Sequence, residues 1–182
     1  DADTITINDV LIKAVAMTLK NYPYLNAIYP EGGLLLKKEV NMGIVIGMPE
    51  GLIIPVLKSA DTLAMEDISR GVKKLREKAE AGKFSSDDLT DGTFTISNLG
   101  MLGVADFAAI IYPPQTAILA ISAIKETPVW KDGAFIPAKT MRATISMDHR
   151  EPDGISAANL LRDLARYLET GDSETIAKPC CT

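Results

Sequence analysis

Residues 141–154, MRATISMDHREPDG, contain the pattern on which the interpretation of this sequence depends. Apolar and polar residues alternate from Met141 to Met147, which predicts a β-strand. Asp153 stands just before an apolar run of helical spacing, so it is the predicted N-cap of a last helix, Asp153–Glu169. The only histidine of the chain, His149, falls in the turn between this strand and this helix.

Strand and helix patterns are interspersed along the rest of the chain. Hairpins between several strands favour a mixed sheet with helices packed on it over a doubly wound parallel fold. No glycine-rich phosphate loop follows a strand and opens a helix, so a nucleotide-binding fold is not indicated. The predicted class is α/β, a two-layer sandwich in which helices pack on a mixed β-sheet. The predicted elements are a helix from an Asn8 cap to Lys20, strands Leu25–Tyr29, Leu34–Leu36, Met42–Met48 and Leu52–Leu57, a helix from an Asp61 or Thr62 cap to Ala81, a helical turn at Ser85–Leu89, strands Thr93–Ser97 and Ala117–Ala123, and a hairpin at Val129–Ile136.

The 182 residues suit one domain, and 47% hydrophobic with 24% charged residues is close to the average of globular proteins. A net charge of −5 and the lack of a basic run argue against general nucleic-acid binding. No apolar stretch reaches the roughly 18 residues that cross a bilayer, and we expect no signal peptide. Cys180 and Cys181 are adjacent, so we predict no metal site and a reducing compartment. Residues 1–171 are the predicted domain, followed by a polar tail at 172–182.

Two segments hold side chains suited to proton transfer and hydrogen bonding. The ordinary pKa of histidine, about 6.5, allows the side chain to accept and return a proton near neutral pH. His149 is therefore either a surface or core-edge imidazole with no functional role or a general base. Ser97 ends a predicted strand within Gly92–Gly100 (GTFTISNLG), and is either part of a turn or a donor to a developing oxyanion. Asp153 is suited to holding the His149 loop as well as to capping the helix.

Together these segments closely resemble the catalytic core of the dihydrolipoamide acyltransferases of 2-oxo acid dehydrogenase complexes. That family carries an Asp-His-Arg-x-x-Asp-Gly motif near its C-terminus, which Asp148–Gly154 matches at every specified position. The family's Phe-Thr-Ile-Ser-Asn-Leu-Gly segment lies some fifty residues upstream, as Phe94–Gly100 does here. The similarity covers most of residues 5–170, with further matches at Ile7–Ala16, Gly51–Val56 and Pro113–Leu119.

The resemblance implies a fold like that of chloramphenicol acetyltransferase, in a homotrimer with active sites between subunits. It implies acyl transfer between dihydrolipoamide and coenzyme A in a complex of central metabolism such as pyruvate dehydrogenase, with the lipoyl group on a separate domain. In that scheme His149 is the general base, and Ser97 of the neighbouring subunit stabilises the oxyanion. Asp153 holds the His149 loop, and Asn98 contacts coenzyme A. The expected compartment is the bacterial cytoplasm or the mitochondrial matrix.

The sequence also departs from the family pattern. The family core usually begins further upstream, so we expect this chain to lack the first strand and helix of the core. Glu151-Pro152 replaces the usual apolar pair between the arginine and the second aspartate. Two alternatives stay open: a catalytically inactive structural core subunit, and a free-standing acyltransferase of the same fold with a small acceptor. The sequence leaves the acyl group open between acetyl, succinyl and branched-chain groups.

Overall fold

The structure, a computed structural model, describes residues 4–171. Over these residues the chain forms three α-helices and eleven β-strands, together with two short 3-10 turns. None of the described helices is both long and apolar enough to cross a bilayer. The elements in chain order are α1 (Ile7–Leu19), β1 (Ala27–Ile28), β2 (Leu35–Leu36), β3 (Met42–Ile44), β4 (Ile46–Met48), β5 (Gly51–Ile53), β6 (Val56–Leu57), α2 (Met65–Glu80), β7 (Phe94–Asn98), β8 (Ala117–Ile121), β9 (Lys125–Lys131), β10 (Ala134–Thr140), β11 (Ala143–Met147) and α3 (Gly154–Thr170).

A five-stranded mixed sheet forms the centre of the fold, in the order β11-β8-β7-β3-β6. The inner strands β3, β7 and β8 run parallel to one another, whereas the edge strands β6 and β11 are antiparallel to their neighbours. Every residue of β8 is buried, and so are the first four of β7, as is typical of parallel strands covered on both faces. The predicted α/β class with a mixed sheet is confirmed.

Each helix contributes an apolar face to the core beside this sheet. The buried positions of α2 and α3 recur at the three- and four-residue spacing expected for one helical face, whereas α1 is buried on most of its sides. α1 contacts both α2 and α3, so the helices form a continuous layer. The buried apolar residues of this layer include Leu11, Val15 and Leu19 of α1, Ile68, Val72 and Leu75 of α2, and Ala157, Leu160 and Leu164 of α3.

The first helix starts at a different cap from the one predicted. Thr6, rather than Asn8, is the N-cap of α1. Thr6 Oγ1 accepts a hydrogen bond from the Asp9 N–H at 3.3 Å, and Asp9 Oδ2 accepts one from the Thr6 N–H at 2.8 Å. This reciprocal capping box satisfies two donors at the helix end, so it determines the start of the helix. The predicted Asn8 cap is wrong, and Asn8 lies inside the first turn.

Neither Asp61 nor Thr62 caps the second helix, which begins at Met65 without a side-chain cap. Asp61 is buried instead, and its Oδ1 accepts a hydrogen bond from the Val40 N–H at 3.2 Å. The Lys20 Nζ lies 3.4 Å from Asp61 Oδ2. The carboxylate therefore joins α1 to the chain before β3, a long-range role that a local capping pattern does not indicate.

Two predicted strands are each divided between two sheets. Met42–Met48 is interrupted at Val45, so that β3 joins the main sheet while β4 pairs with β5 in a separate hairpin. Leu52–Leu57 is interrupted at Ile54 and Pro55, and proline has no N–H to donate to a strand ladder. A continuous apolar run does not mark the point where the pairing partner changes, which is why each segment was predicted as one strand.

The hairpin predicted at Val129–Ile136 is confirmed and is longer than predicted. β9 and β10 pair over their full length. Asp132 and Gly133 have φ angles of 51° and 83°, as a type I′ turn requires at its two central residues.

A buried hydrogen bond ties β7 to the segment before β8. Thr95 Oγ1 donates to Gln115 Oε1 at 2.6 Å, and both side chains are buried. We expect Thr95→Val to lower the free energy of unfolding by about 1–3 kcal/mol, because valine keeps the shape but leaves the amide oxygen without this donor. Thr95→Ser, which keeps the hydroxyl, is the matched control and should retain the hydrogen bond. Urea denaturation measures both, and a valine variant as stable as the wild type would contradict this role.

Candidate active site

His149 lies in the turn between β11 and α3, as predicted, and the backbone before it is fixed. The Asp148 N–H donates to the Thr116 carbonyl oxygen at 2.7 Å. The Arg150 backbone N–H donates to Asp148 Oδ1 at 3.2 Å, and its Nε donates to Oδ1 and Oδ2 at 2.9 and 3.0 Å. The imidazole is exposed and makes no hydrogen bond with any group of residues 4–171. The turn therefore holds, on a constrained backbone, an imidazole that forms no hydrogen bond within the described residues.

Two carboxylates flank this imidazole in sequence. The hydrogen bond from the Arg150 side chain lowers the pKa of Asp148 below its ordinary value. Asp153 Oδ1 accepts the Ser156 N–H at 2.6 Å, and hydrogen bonds from Ser156 lower the pKa of Asp153, with a smaller contribution from the charge of His149. Both groups are thus ionised at neutral pH.

Asp153 is the N-cap of α3, which confirms its predicted structural role. A carboxylate at this position also interacts favourably with the positive end of the helix. Within the described part of the chain it forms no ion pair with a lysine or arginine. In this structure Asp153 therefore acts as the cap of α3, and its role in holding the His149 loop stays a prediction.

Ser97 lies near the C-terminal end of β7 and is only 7% exposed. Its hydroxyl makes no hydrogen bond with residues 4–171. Across the same residues, no fully buried side-chain nitrogen or oxygen atom lacks a partner, so the Ser97 Oγ must retain some access to the outside. The hydroxyl is therefore recessed but available.

Asn98 holds the glycine loop after β7 against the start of α1. Its Nδ2 donates to Asn8 Oδ1 at 3.1 Å, and its Oδ1 accepts the Gly100 N–H at 2.9 Å. A β-carbon at Gly100 would lie 2.9 Å from the Ser122 carbonyl oxygen, so this close approach requires glycine. Asn98 also lines a cleft of about 610 Å³ between α1 and the ends of β3, β7 and β8.

The register of the sheet separates Ser97 from His149. Ser97 pairs with Ala120 of β8, whereas the residue before His149 is bonded to Thr116, four positions earlier in the chain. At about 3.3 Å per residue and 4.8 Å between strands, the two positions are about 13 Å apart along the strands and about 10 Å across them. Reacting groups must lie about 3–3.5 Å apart. One chain therefore does not bring this imidazole and this hydroxyl to neighbouring atoms of one reacting group.

One contact of the His149 turn has no counterpart in the sequence analysis. The Arg150 Cζ lies 3.7 Å from the centroid of the Tyr29 ring. The close spacing of Asp148 and Arg150 is a local signal for their pairing within a turn. Tyr29 lies far upstream, and a single sequence carries no signal that joins it to Arg150.

Other predicted features concern metals and the tail. Among residues 4–171, no three or more histidine, cysteine, aspartate or glutamate side chains are grouped to hold a metal ion. Cys180, Cys181 and the polar tail predicted at 172–182 lie outside the described residues. What was expected of that segment stays a prediction.

Comparison with known proteins identifies the family. Residues 1–176 match the family profile described as 2-oxoacid dehydrogenases acyltransferase (catalytic domain). This chain belongs to that family. The match confirms the resemblance inferred from the Asp148–Gly154 and Phe94–Gly100 motifs.

The acyltransferase domain has relatives of more than one acyl specificity. It is 34% identical over 165 residues to the dihydrolipoyllysine-residue acetyltransferase component of the pyruvate dehydrogenase complex of Rhizobium meliloti. The aligned region covers 91% of this chain and 37% of the relative. It is 39% identical over 158 residues to the succinyltransferase component of the 2-oxoglutarate dehydrogenase complex of Haemophilus influenzae, with 87% and 39% covered. The chain thus spans less than half the length of these two relatives.

Solved structures agree with this assignment. The dihydrolipoamide acetyltransferase of Azotobacter vinelandii matches with a TM-score of 0.89 and 34% identity, over 96% of this chain and 72% of that one. In that enzyme the catalytic roles of a serine, of a histidine 52 residues after it, and of an asparagine four residues after the histidine have been investigated. The same two intervals separate Ser97, His149 and Asp153. A chloramphenicol acetyltransferase, at 12% identity and a TM-score of 0.58 over 90% of this chain and 78% of that one, shares the fold.

The cap of α3 makes a prediction for stability. We expect Asp153→Ala to lower the melting temperature at neutral pH, because the Ser156 N–H loses its acceptor. Asp153→Asn is the matched control, since asparagine caps almost as well but carries no charge. Thermal unfolding followed by circular dichroism measures both variants, and an alanine variant that melts with the wild type would contradict the cap.

The same pair of variants predicts a pH dependence. Because folding lowers the pKa of Asp153, its charge stabilises the folded state above the ordinary aspartate pKa, and this contribution is lost as the pH falls through the lowered value. The melting temperature of the wild type should therefore fall towards that of Asp153→Asn between neutral and strongly acidic pH. A constant difference between the two would show that this carboxylate does not titrate as described.

Proposed function

We propose that this domain transfers an acyl group between dihydrolipoamide and coenzyme A in a 2-oxo acid dehydrogenase complex. His149 is the general base, and Ser97 is the hydrogen-bond donor to the oxyanion. The observation that carries the proposal is that both groups are uncommitted within residues 4–171, at the interval that separates the serine and the histidine investigated in the Azotobacter enzyme. Groups without an internal partner are free to meet a substrate.

The proposed active site contains His149 of one copy and Ser97 of the next. In one chain the two groups lie at opposite ends of β8, so only a second copy brings them together. A cyclic homotrimer, in which the same two surfaces meet at each interface, satisfies this condition. Exposed apolar side chains that follow each group closely in the sequence support such a contact, since Met101 and Ile155 are 88% and 73% exposed in the single chain.

His149 supplies the proton transfer that the reaction requires. A thiol with an ordinary pKa is mostly protonated at neutral pH, whereas the thiolate is the nucleophile. His149 removes the proton from the coenzyme A thiol as the sulfur attacks the thioester carbon of the acyl-lipoamide. When the tetrahedral intermediate collapses, the bond to the lipoyl sulfur breaks and the imidazolium returns the proton to that sulfur. Because both partners are thiols, one base serves both directions.

Ser97 stabilises the negative charge on the carbonyl oxygen of the tetrahedral intermediate. Its low exposure means that the donor acts where little water competes, which strengthens a charge-assisted hydrogen bond. Because the hydroxyl forms no hydrogen bond within the described residues, it does not have to give one up before it donates to the oxyanion. The cost of reorganisation is therefore small.

Two neighbouring residues complete the proposed site. Asp153 fixes the start of α3, and its charge attracts the imidazolium that His149 becomes during the reaction. Asn98 contacts coenzyme A through the amide hydrogen that Asn8 does not use. The lipoyl group arrives on a separate domain, and the other partners are the remaining subunits of the complex. The compartment is the bacterial cytoplasm or the mitochondrial matrix.

Acetyl transfer from acetyl-coenzyme A to dihydrolipoamide tests the assigned roles. We expect His149→Ala to lower kcat by about 10²–10⁴-fold, since it removes the general base. Ser97→Ala should lower kcat by about 10²–10³-fold, because it removes one oxyanion donor. Ser86→Ala, the same substitution at an exposed position away from the site, should leave the rate unchanged.

The acetyl-transfer assay distinguishes an active acyltransferase from a catalytically inactive structural subunit. Equal rates in the wild type and in His149→Ala would contradict the assigned base. A folded wild type that neither turns over nor binds coenzyme A in calorimetry would favour an inactive structural subunit.

The oligomeric state tests the shared site independently. Light scattering should give a mass of about three times 19.6 kDa, because the site needs a cyclic contact between copies. A monodisperse monomer with full activity would contradict the proposal.

A further inference from the structure

The guanidinium of Arg150 is held between an aromatic ring and a carboxylate. On one side its Cζ lies 3.7 Å from the centroid of the half-buried Tyr29 ring. On the other, Nε lies 2.9 Å from Asp148 Oδ1 and Nη2 lies 2.5 Å from Oδ2. His149 is the residue between the two members of this ion pair. The Tyr29 ring is therefore linked to the His149 turn, which carries the proposed general base, through the side chain of Arg150.

Both ends of this arrangement are attached to the same short segment before β8. The Tyr29 N–H donates to the Pro114 carbonyl oxygen at 2.5 Å, and the neighbouring Ile28 forms a β-bridge with Gln115. The Asp148 N–H donates to the carbonyl oxygen of the next residue, Thr116. The backbones that carry the ring and the carboxylate are thus fixed relative to each other, and Arg150 spans the space between them.

An ion pair between Asp148 and Arg150 alone would hold the turn weakly. The Arg150 side chain is 59% exposed, and exposed ion pairs are screened by solvent and salt. Stacking on an aromatic face removes one side of the guanidinium from water and restricts its plane. The plane of the guanidinium decides whether two of its N–H groups point at both oxygens of one carboxylate.

We propose that Tyr29 is a positioning residue for the general base: its ring fixes the Arg150 guanidinium, which clamps Asp148 and so sets the direction in which His149 points. The inference rests on the proposed function for its kinetic consequence, but the clamp itself is a property of the fold. The ring, not the hydroxyl, carries this role, since the Tyr29 hydroxyl donates to no group of residues 4–171.

Four variants test the clamp. Tyr29→Leu removes the ring and keeps apolar bulk, whereas Tyr29→Phe keeps the ring and should restore wild-type behaviour. Arg150→Lys keeps the charge and removes the planar fork. Tyr24→Leu is the matched control, because Tyr24 is an exposed tyrosine on the same segment without a stacked cation in the described structure.

The kinetic result should be a change in kcat alone. Tyr29→Leu and Arg150→Lys should each lower kcat about two- to five-fold, the change that a cation–π contact at an exposed site supports. KM and oligomer mass should stay unchanged. The double variant should be no slower than the slower single variant, because both substitutions break one linked arrangement. Tyr24→Leu should match the wild type.

A second readout needs no turnover. The chain has one histidine, so its imidazole resonances are assigned without ambiguity. In Tyr29→Leu and Arg150→Lys these resonances should narrow and shift towards the positions of a free histidine, and in Tyr29→Phe they should not move.

The two readouts separate this inference from the proposed function. If the wild type is inactive but the resonances respond as expected, the clamp stands and the proposed function fails. If the wild type is active and the resonances of Tyr29→Leu match those of the wild type, the positioning role is overturned. Equal impairment of Tyr29→Phe and Tyr29→Leu also overturns it. Should Tyr29→Leu fail to fold, Arg150→Lys tests the same contact through its exposed partner. Wild-type kcat and wild-type imidazole resonances in Arg150→Lys would then overturn the positioning role.

Discussion

The pairing of β8 with β7 on one side and with β11 on the other fixes the distance between the two groups that carry the proposed chemistry. Because β8 is buried along its whole length, its register does not slip without exposing the core. Ser97 is held at one end of this strand, and the His149 turn is attached to the other end through Thr116. The sheet therefore holds one of the two proposed catalytic groups near each end of β8. The proposed function therefore depends on association between copies as much as on the shape of one chain.

The elements that local chemistry dictates were predicted well. Asp153 caps α3 because a carboxylate before an apolar helical run satisfies the first free N–H groups. The β9–β10 hairpin follows from the residues at its turn, since Asp132 and Gly133 tolerate positive φ angles. The family motifs around Ser97 and His149 also pointed to the correct family, and neither candidate side chain forms a hydrogen bond within residues 4–171.

The start of α1 differs for a local reason, the capping box of Thr6 and Asp9. The other differences share a physical cause, which is that a distant partner decides the local outcome. Asp61 was predicted as a helix cap, but a backbone N–H far along the chain binds its carboxylate. The strand predicted at Met42–Met48 changes sheets, and hydrophobicity does not record the pairing partner. The contact of Tyr29 with Arg150 has the same origin. From residues alone nothing placed Ser97 and His149 at opposite ends of one strand, because that separation is a consequence of sheet order and register.

A mixing experiment tests the shared site most directly. His149→Ala and Ser97→Ala chains, each expected to be at least about 10²-fold slower than the wild type, are combined in equal amounts, dissociated and reassembled, and acetyl transfer is measured. In a cyclic assembly with random mixing, about one quarter of the interfaces join the intact imidazole of one copy to the intact hydroxyl of the next. We expect recovery of about one quarter of the wild-type specific activity. A reassembled mixture as inactive as its two components would contradict a site built from two chains.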